Sequence, residues 1–244
     1  MMIRVVPSAA VGEVGADLLR SAIDDGDVNV LGVATGSSPL PLYRALGARP
    51  PRRASRLTLF ALDEYVGIRR DHPESYHSVV EREISGPLGV PPGRVFVPEG
   101  DADDLELACA AYERAIAAAG GVDLQILGVG SNGHIAFNEP GSAADTRTRV
   151  LPLTEQTRVD NSRFFSGLDA VPTHCVTQGI GTILEARSIV LVARGLAKAE
   201  AVARSFGAPP DPSWPASYLQ HHPDVTLILD EDAASLLTLQ GALS

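Results

Sequence analysis

The sequence predicts an α/β fold of three layers, in which a mostly parallel central sheet is covered by helices on both faces. Short apolar runs rich in β-branched residues recur along the chain, and segments with helical spacing alternate with them almost throughout. Hydrophobic residues make up 45% of the 244 residues and charged residues 20%. A chain of this composition buries a sizeable core and folds autonomously.

The predicted elements follow from these two patterns. Strands are expected at 3–6, 28–34, 57–62, 122–129, 188–193 and 224–229. Helices are expected at 9–23, 39–46, 73–84, 103–119, 195–205 and 232–239. In open sheets of this kind, ligands bind at the carboxyl ends of the strands, so the loops that follow the strands are the places to look for function.

Bulk properties favour one domain, residues 1–244, acting on a small molecule in the cytoplasm. No linker-like stretch divides the chain, and nowhere do 18 uncharged apolar residues run together, so neither export nor membrane insertion is expected. The net charge of −10 opposes binding to nucleic acid. Cys109 and Cys175 have neither disulfide-framework nor metal-ligand spacing, which fits a reducing compartment.

The loop Thr35-Gly36-Ser37-Ser38 follows the second predicted strand and precedes a helix expected from Pro39. Free backbone N–H groups, the helix dipole and hydroxyl groups suit a phosphate. Ordinary capping of the helix by serine is the alternative. The loop is not a Walker A motif, because no Gly-Lys-Ser/Thr follows it.

Two carboxylates, Asp63 and Glu64, leave the third predicted strand. A carboxylate held on a rigid strand end near the substrate crevice is a candidate general base, because partial desolvation adjusts its basicity. An acidic pair that simply ends the strand in water is the alternative interpretation.

The run 128–140, GVGSNGHIAFNEP, follows the fourth predicted strand and carries Asn132, His134 and Glu139. Its glycines satisfy the dinucleotide pattern G-x-G-x-x-G, but Pro140-Gly141 leaves no room for the helix that this pattern requires. An imidazole and a carboxylate five residues apart on a glycine-rich turn are instead a plausible proton-transfer pair.

Lys198 is the only lysine among 20 basic residues and falls in the first turn of a predicted helix. A lysine there opposes the helix dipole unless an anion offsets it, which favours phosphate binding. Arg163 is a second candidate for this charge. It lies in the irregular stretch 142–173, which is predicted to form a lid.

Six blocks of sequence together resemble the glucosamine-6-phosphate deaminase family, also called glucosamine-6-phosphate isomerases. In chain order they are LGVATGSSPLPLY, FALDEYVG, HPESYHS, GVGSNGHIAFNEPG, TRVDNSRFF and GLAKAEA, and the resemblance covers roughly residues 3 to 230. It implies a Rossmann-like fold of the sugar-phosphate isomerase type. It also implies the conversion of glucosamine 6-phosphate and water to fructose 6-phosphate and ammonia in amino-sugar catabolism, with no redox cofactor or metal.

The same resemblance implies a role for each matching residue. Asp63 would move the proton at C2, and His134, oriented and charged by Glu139, would open the sugar ring. Asn132 stands where some members have aspartate and others asparagine. The phosphate would be bound by Thr35, Gly36, Ser37, Ser38, Arg163 and Lys198.

Some questions stay open on sequence grounds. A 6-phosphogluconolactonase and a noncatalytic sugar-phosphate sensor are the competing functions, and the lactonase is disfavoured by Asp63-Glu64-Tyr65 and Asn138-Glu139-Pro140. The family includes allosteric members, but Ala143 and Leu151 stand where polar or basic effector contacts are expected, so activation is not predicted. The protein is expected to be a monomer or a homo-oligomer.

Overall fold

A seven-stranded sheet and a three-stranded sheet form the framework of the protein in a computed structural model, which describes residues 1–238. The strands are β1 Met2–Val6, β2 Val30–Val33, β3 Thr58–Ala61, β4 Asp63–Tyr65, β5 Val95–Phe96, β6 Leu124–Leu127, β7 Arg149–Pro152, β8 His174–Thr177, β9 Ser188–Ala193 and β10 Val225–Asp230. The helices are α1 Val11–Asp25, α2 Leu40–Ala48, α3 Tyr76–Val80, α4 Gly86–Leu88, α5 Leu105–Ala118, α6 Glu155–Asn161, α7 Ile180–Leu184, α8 Ala199–Phe206 and α9 Glu231–Ala234. Shorter helical turns include Glu81–Ser85 and Leu196–Lys198.

The large sheet has the strand order β1-β10-β9-β6-β2-β3-β5, and all of its paired strands are parallel. Strands β2 and β6 are buried along their whole length because both of their faces are covered. Their sequences, VLGV and LQIL, do not alternate between buried and exposed residues, as expected of strands in a doubly covered parallel sheet. The predicted mostly parallel sheet is therefore confirmed.

Helices pack on both faces of this sheet and complete the three layers. On one face, α1 and α2 contribute Leu19, Ile23, Leu42 and Leu46 to a buried core. On the other face, α5, α7 and α8 contribute Tyr112, Ile116, Ile183, Val202 and Phe206 to a second core. The two cores account for the predicted helical layers.

The second sheet was not predicted. It has the order β4-β8-β7 and is antiparallel, with Asp63 opposite Thr177 and Arg149 opposite the same residue on the other side. The stretch 142–173, predicted to be irregular, contributes β7 and α6 to this region. Since Leu62 alone separates β3 from β4, the chain passes directly from the large sheet to the small one at Asp63.

The observed ends of the elements differ slightly from those predicted. Strand β9 has the predicted bounds, and most other elements differ by one to three residues. The helix predicted at 73–84 is observed as α3, the π-helical turn Glu81–Ser85 and α4, which follow one another without a gap. The last helix was predicted at 232–239, but α9 spans Glu231–Ala234, and residue 239 lies outside the described residues.

Candidate active site

A cleft of about 200 Å³ lies at the carboxyl edge of the large sheet. It is lined from the loops after β2, β3, β6 and β9 and from α6 and the turn after it. Eight of the predicted site residues line it: Thr35, Gly36, Ser37, Ser38, Asp63, His134, Arg163 and Lys198. Asn132 and Glu139 do not line the cleft but lie behind it, where both contact His134. The predicted residues therefore come together in one place.

The loop after β2 presents the start of a helix to the cleft. Helix α2 begins at Leu40, and no side chain caps its amino end at Pro39. Gly36 has a φ of 101°, a left-handed conformation that favours glycine. The Tyr43 hydroxyl accepts a hydrogen bond from Ala34 N and donates one to Ala34 O, each at 3.1 Å, and so anchors the end of β2. Serine capping, the alternative interpretation of this loop, does not occur, and the uncapped helix end suits an anion.

Two basic side chains line the same cleft as this helix end. Lys198 is half-buried and ends the turn Leu196–Lys198, directly before α8. Arg163 lies in the turn after α6, where its guanidinium stacks over the ring of Phe164 at 4.7 Å. Burial and the neighbouring charge of Arg163 lower the pKa of Lys198, while Asp160 acts in the opposite direction. Two nearby cations at an uncapped helix end form a site that an anion would stabilise.

Asp63 is the first residue of β4, and its carboxyl group lines the cleft although the residue is only 6% exposed. Burial, followed by the neighbouring charge of Glu64, raises the pKa of Asp63 to about 8. A carboxylate with so high a pKa is a strong base once it is ionised. Asp63 is therefore suited to remove a proton from carbon.

Glu64 has a different task from its neighbour, because successive residues of a strand point to opposite faces. Its carboxylate accepts hydrogen bonds from Tyr65 N at 2.8 Å, Tyr76 N at 2.9 Å and His77 N at 3.1 Å. Burial raises the pKa of Glu64 to about 7, although these hydrogen bonds act to lower it. Glu64 thus joins β4 to the amino end of α3, whose Tyr76 also lines the cleft. The acidic pair does not end the strand in water.

On the other side of the cleft, Glu139 is held by a set of donors. Asn132 Nδ2 donates to its Oε2 at 2.7 Å, and Thr157 Oγ1 donates to its Oε1 at 2.6 Å. His134 Nδ1 lies 3.7 Å from Oε2. Burial alone would raise the pKa of Glu139, but His134, Thr157 and Asn132 lower it to about 2.

The ionised Glu139 lies beside the imidazole, whose buried Nδ1 has no hydrogen-bond partner among residues 1–238. A carboxylate beside Nδ1 favours the tautomer with a proton on that nitrogen, which leaves Nε2 as the proton acceptor. Asn132 also accepts a hydrogen bond from His134 N at 3.2 Å and so braces the loop. The imidazole and carboxylate that the sequence predicted as a pair are therefore in contact, with His134 lining the cleft and Glu139 behind it.

The glycines of this loop make space for side chains and for a reversal of the chain. A Cβ at Gly130 would overlap the His134 ring, and one at Gly133, where φ is 81°, would lie 2.7 Å from Trp214. Gly130 N donates to His134 O at 2.8 Å, so the chain turns back on itself. No helix begins at Gly133, in agreement with the prediction that the dinucleotide pattern is fortuitous.

Thr157, Asp160 and Asn161 are among the residues at the cleft that were missed from the sequence. Thr157 belongs to α6 and bonds Glu139, while Asp160 and Asn161 line the cleft beside Lys198 and Arg163. Thr154 caps α6 by accepting from Thr157 N at 3.2 Å, so a T-x-x-T pattern marked the helix start but not its place in the site. Only the tertiary fold brings α6 over the cleft.

Within residues 1–238, no cluster of three or more His, Cys, Asp or Glu side chains has a metal-binding arrangement. Among the same residues, no helix combines the length and apolar character needed to cross a bilayer.

Comparison with known proteins identifies the family. The model of the family described as glucosamine-6-phosphate isomerases/6-phosphogluconolactonase matches residues 7–228. The chain belongs to this family. A relative from Beutenbergia cavernae, named glucosamine-6-phosphate deaminase, is 52% identical over 98% of this chain and 94% of its own length. Another of that name, from Mycolicibacterium smegmatis, is 52% identical over 94% of this chain and 89% of its own length. The family resemblance expected from the sequence is confirmed.

Solved structures show that this fold recurs. One described as a monomeric glucosamine-6-phosphate deaminase matches with a TM-score of 0.93 and 39% identity, over 97% of this chain and 100% of that one. A 6-phosphogluconolactonase from Trypanosoma brucei matches with a TM-score of 0.79 but only 20% identity, over 97% of this chain and 98% of that one. The second likeness concerns the fold alone.

Proposed function

We propose that this protein is an isomerising deaminase that converts glucosamine 6-phosphate and water to fructose 6-phosphate and ammonia. One observation carries the proposal. Two acid–base groups line one cleft: Asp63, a buried carboxyl with a pKa of about 8, and the imidazole of His134. The ionised carboxylate of Glu139 lies directly behind His134. The curated relatives at 52% identity, which bear the name of this activity, support it.

The phosphate end of the substrate sets its orientation. The uncapped start of α2 with Thr35, Gly36, Ser37 and Ser38 supplies N–H and hydroxyl donors, and Lys198 and Arg163 supply charge. A helix start with adjacent cations holds a phosphate by dipole and charge together. Fixing this end converts the later proton transfers into steps within one oriented complex.

Ring opening is assigned to His134. Its Nε2 takes the proton of the C1 hydroxyl and returns a proton to the ring oxygen as the C1–O5 bond breaks, which gives the open aldehyde. Glu139 stabilises the imidazolium that forms between these transfers. Asn132 and Thr157 keep Glu139 ionised and in place. A direct acid role for Asn132 is not part of the mechanism, since an amide does not donate a proton at this pH.

Isomerisation is assigned to Asp63. Its carboxylate removes the proton from C2, and the electrons form a C1–C2 double bond and place negative charge on O1, which is protonated. Reprotonation at C1 then gives an imine at C2. Water adds to C2 and ammonia leaves, so that the ketone of fructose 6-phosphate remains. Acid–base steps of this kind contribute about 100- to 10,000-fold each.

An assay of both products tests the proposal. Glucosamine 6-phosphate should yield ammonia and fructose 6-phosphate in equal amounts, and release of neither would refute it. Galactosamine 6-phosphate tested in parallel decides the epimer. Acid release from 6-phosphogluconolactone would instead identify a lactonase. Asp63→Asn should lower turnover at least about a hundredfold while phosphate binding is retained; unchanged behaviour would indicate a sensor.

The proposal also covers the unit that acts and its setting. We treat residues 1–244 as one catalytic domain, with 142–173 as its lid, working in amino-sugar catabolism in the cytoplasm. Cys109 and Cys175 are both free and buried, which supports a reducing compartment. Small metabolites rather than nucleic acid or membrane are its partners. A solved relative described as monomeric favours a monomer over a homo-oligomer, and light scattering on the purified protein distinguishes them.

A further inference from the structure

Asp230 is a buried carboxylate that the mechanism above does not use. It is the last residue of β10, is 1% exposed, and lies beside the loop that follows the neighbouring strand β9. Its two oxygens accept hydrogen bonds from Gly195 N at 2.9 and 3.0 Å. Its Oδ1 also accepts from Ala233 N at 2.8 Å and so caps α9. Burying a carboxylate costs free energy unless it is hydrogen-bonded, and the amides of Gly195 and Ala233 provide these bonds. The same bonds fix the position of the carboxylate.

Gly195 directly precedes the turn that carries Lys198. Strand β9 ends at Ala193, and the turn Leu196–Lys198 starts two residues after Arg194. Gly195 has a φ of 83°, and its carbonyl accepts a hydrogen bond from Lys198 N at 3.0 Å. Gly195 is thus fixed to Asp230 through its N–H and to Lys198 through its C=O. Gly195 therefore links Asp230 directly to the turn that carries Lys198.

Asp230 stays ionised, so it can accept these hydrogen bonds at all times. Burial opposes its ionisation, but the amides of Ala233 and Gly195, the Ser8 hydroxyl and the charge of Arg194 lower its pKa below the ordinary value. It therefore stays an acceptor across the working pH range of an enzyme. Helix α9, which it caps, contacts both the Lys198 turn and α8, so the anchor is backed by packing.

We propose that Asp230 is a positioning residue that sets the affinity of the cleft for phosphate by holding the turn Gly195–Lys198 against the start of α2. The inference rests on the proposed function of Lys198 as a phosphate ligand. It adds a residue from a strand that contributes no side chain to the cleft. Asp230 touches neither the substrate nor the reacting atoms, so it should act on binding and not on chemistry.

A purely structural role as a helix cap is the competing explanation, and the chain offers a matched control. Asp104 caps α5 in the same way, accepting from Leu107 N at 2.9 Å, but it lies outside the cleft. Serine is a good cap residue with a shorter reach. Asp230→Ser therefore keeps an oxygen for Ala233 N and removes the bonds to Gly195 N, while Asp104→Ser makes the same chemical change elsewhere.

The test measures phosphate affinity directly. Inorganic phosphate is titrated into the full-length wild type, D230S, D230N and D104S by calorimetry, and KM and kcat for glucosamine 6-phosphate are measured in the same preparations. D230S should raise the phosphate Kd and KM about tenfold, the effect of losing one charge-assisted hydrogen bond. Its kcat should stay within about twofold, because the acid–base groups are untouched. D230N, which keeps one acceptor oxygen, should show a smaller increase, and D104S none.

Either of two outcomes overturns the proposal. One is a folded D230S with unchanged phosphate Kd and KM, and the other is a loss of kcat at unchanged KM. If D230S does not fold, D230N decides, and an unchanged phosphate Kd in D230N is then the refuting result. Phosphate binding by calorimetry does not depend on turnover, so failure of the deaminase assay in wild type is distinguishable from failure of the anchor.

Discussion

Replacing Asp63 with asparagine is expected to stabilise the fold, and by more at high pH than at low pH. Burial, followed by the charge of Glu64, raises the pKa of Asp63 from 3.8 to about 8. Between these values the folded protein keeps a proton that the unfolded chain releases, so stability falls as the pH rises. Since each pKa unit corresponds to ~1.4 kcal/mol, the loss grows from ~2 kcal/mol near pH 5 to ~5 kcal/mol near pH 8. Asparagine mimics the protonated carboxyl and avoids this loss.

Urea unfolding followed by circular dichroism at a series of pH values between 5 and 8 measures the effect. The free energy of unfolding of D63N minus that of wild type should increase steadily across the series, while activity is lost. Asp71 provides the control, because it is exposed and its hydrogen bond to Arg69 lowers its pKa. D71N should therefore gain no stability as the pH rises. A flat difference for D63N would refute the reasoning, since the carboxyl would then ionise in the fold without cost.

Three further predictions concern activity. As the pH rises, kcat/KM should increase with a midpoint near the Asp63 pKa of about 8. Glu64→Gln should move this midpoint to lower pH, because the charge of Glu64 raises the pKa of Asp63. Initial rates measured across the pH range check both expectations. Gly130→Ala places a Cβ against the His134 ring and should lower kcat at least about tenfold with phosphate binding retained, as calorimetry would show. Lys198→Ala should raise the Kd of inorganic phosphate about tenfold, and an unchanged Kd would exclude Lys198 from the phosphate site.

The large sheet could be predicted because its strands carry their own signal. Residues 189–193, IVLVA, are apolar without alternation, and such a run is expected only where both faces of a strand are buried. Strand β4 is DEY and β7 is RVLP, and neither has a hydrophobic pattern. They form strands because β8 pairs with both of them. Pairing between distant segments is a tertiary property, so the small sheet was invisible in the sequence.

The candidate site divides in the same way. Residues that directly follow strong strands, such as Thr35 and His134, could be placed at the cleft from the topology of parallel sheets. The strand pattern alone did not separate Asp63 from Glu64, and it was the family resemblance that assigned the base to Asp63; in the structure the pairing of β4 decides which of the two faces the cleft. Thr157 could not be found at all, since its bond to Glu139 depends on where α6 lies over the sheet.

The packing of Trp214 on the loop 128–140 gives the protein an intrinsic fluorescence probe. Trp214 is the single tryptophan of the chain. It lies against Gly133, the residue that precedes His134 in the sequence. Ala216 N also donates to Gly133 O at 2.8 Å, so the segment that carries Trp214 is joined to that loop. Its fluorescence emission therefore reports on the surroundings of His134 without any attached label. Rapid mixing with substrate can then time the loop's response separately from ammonia release.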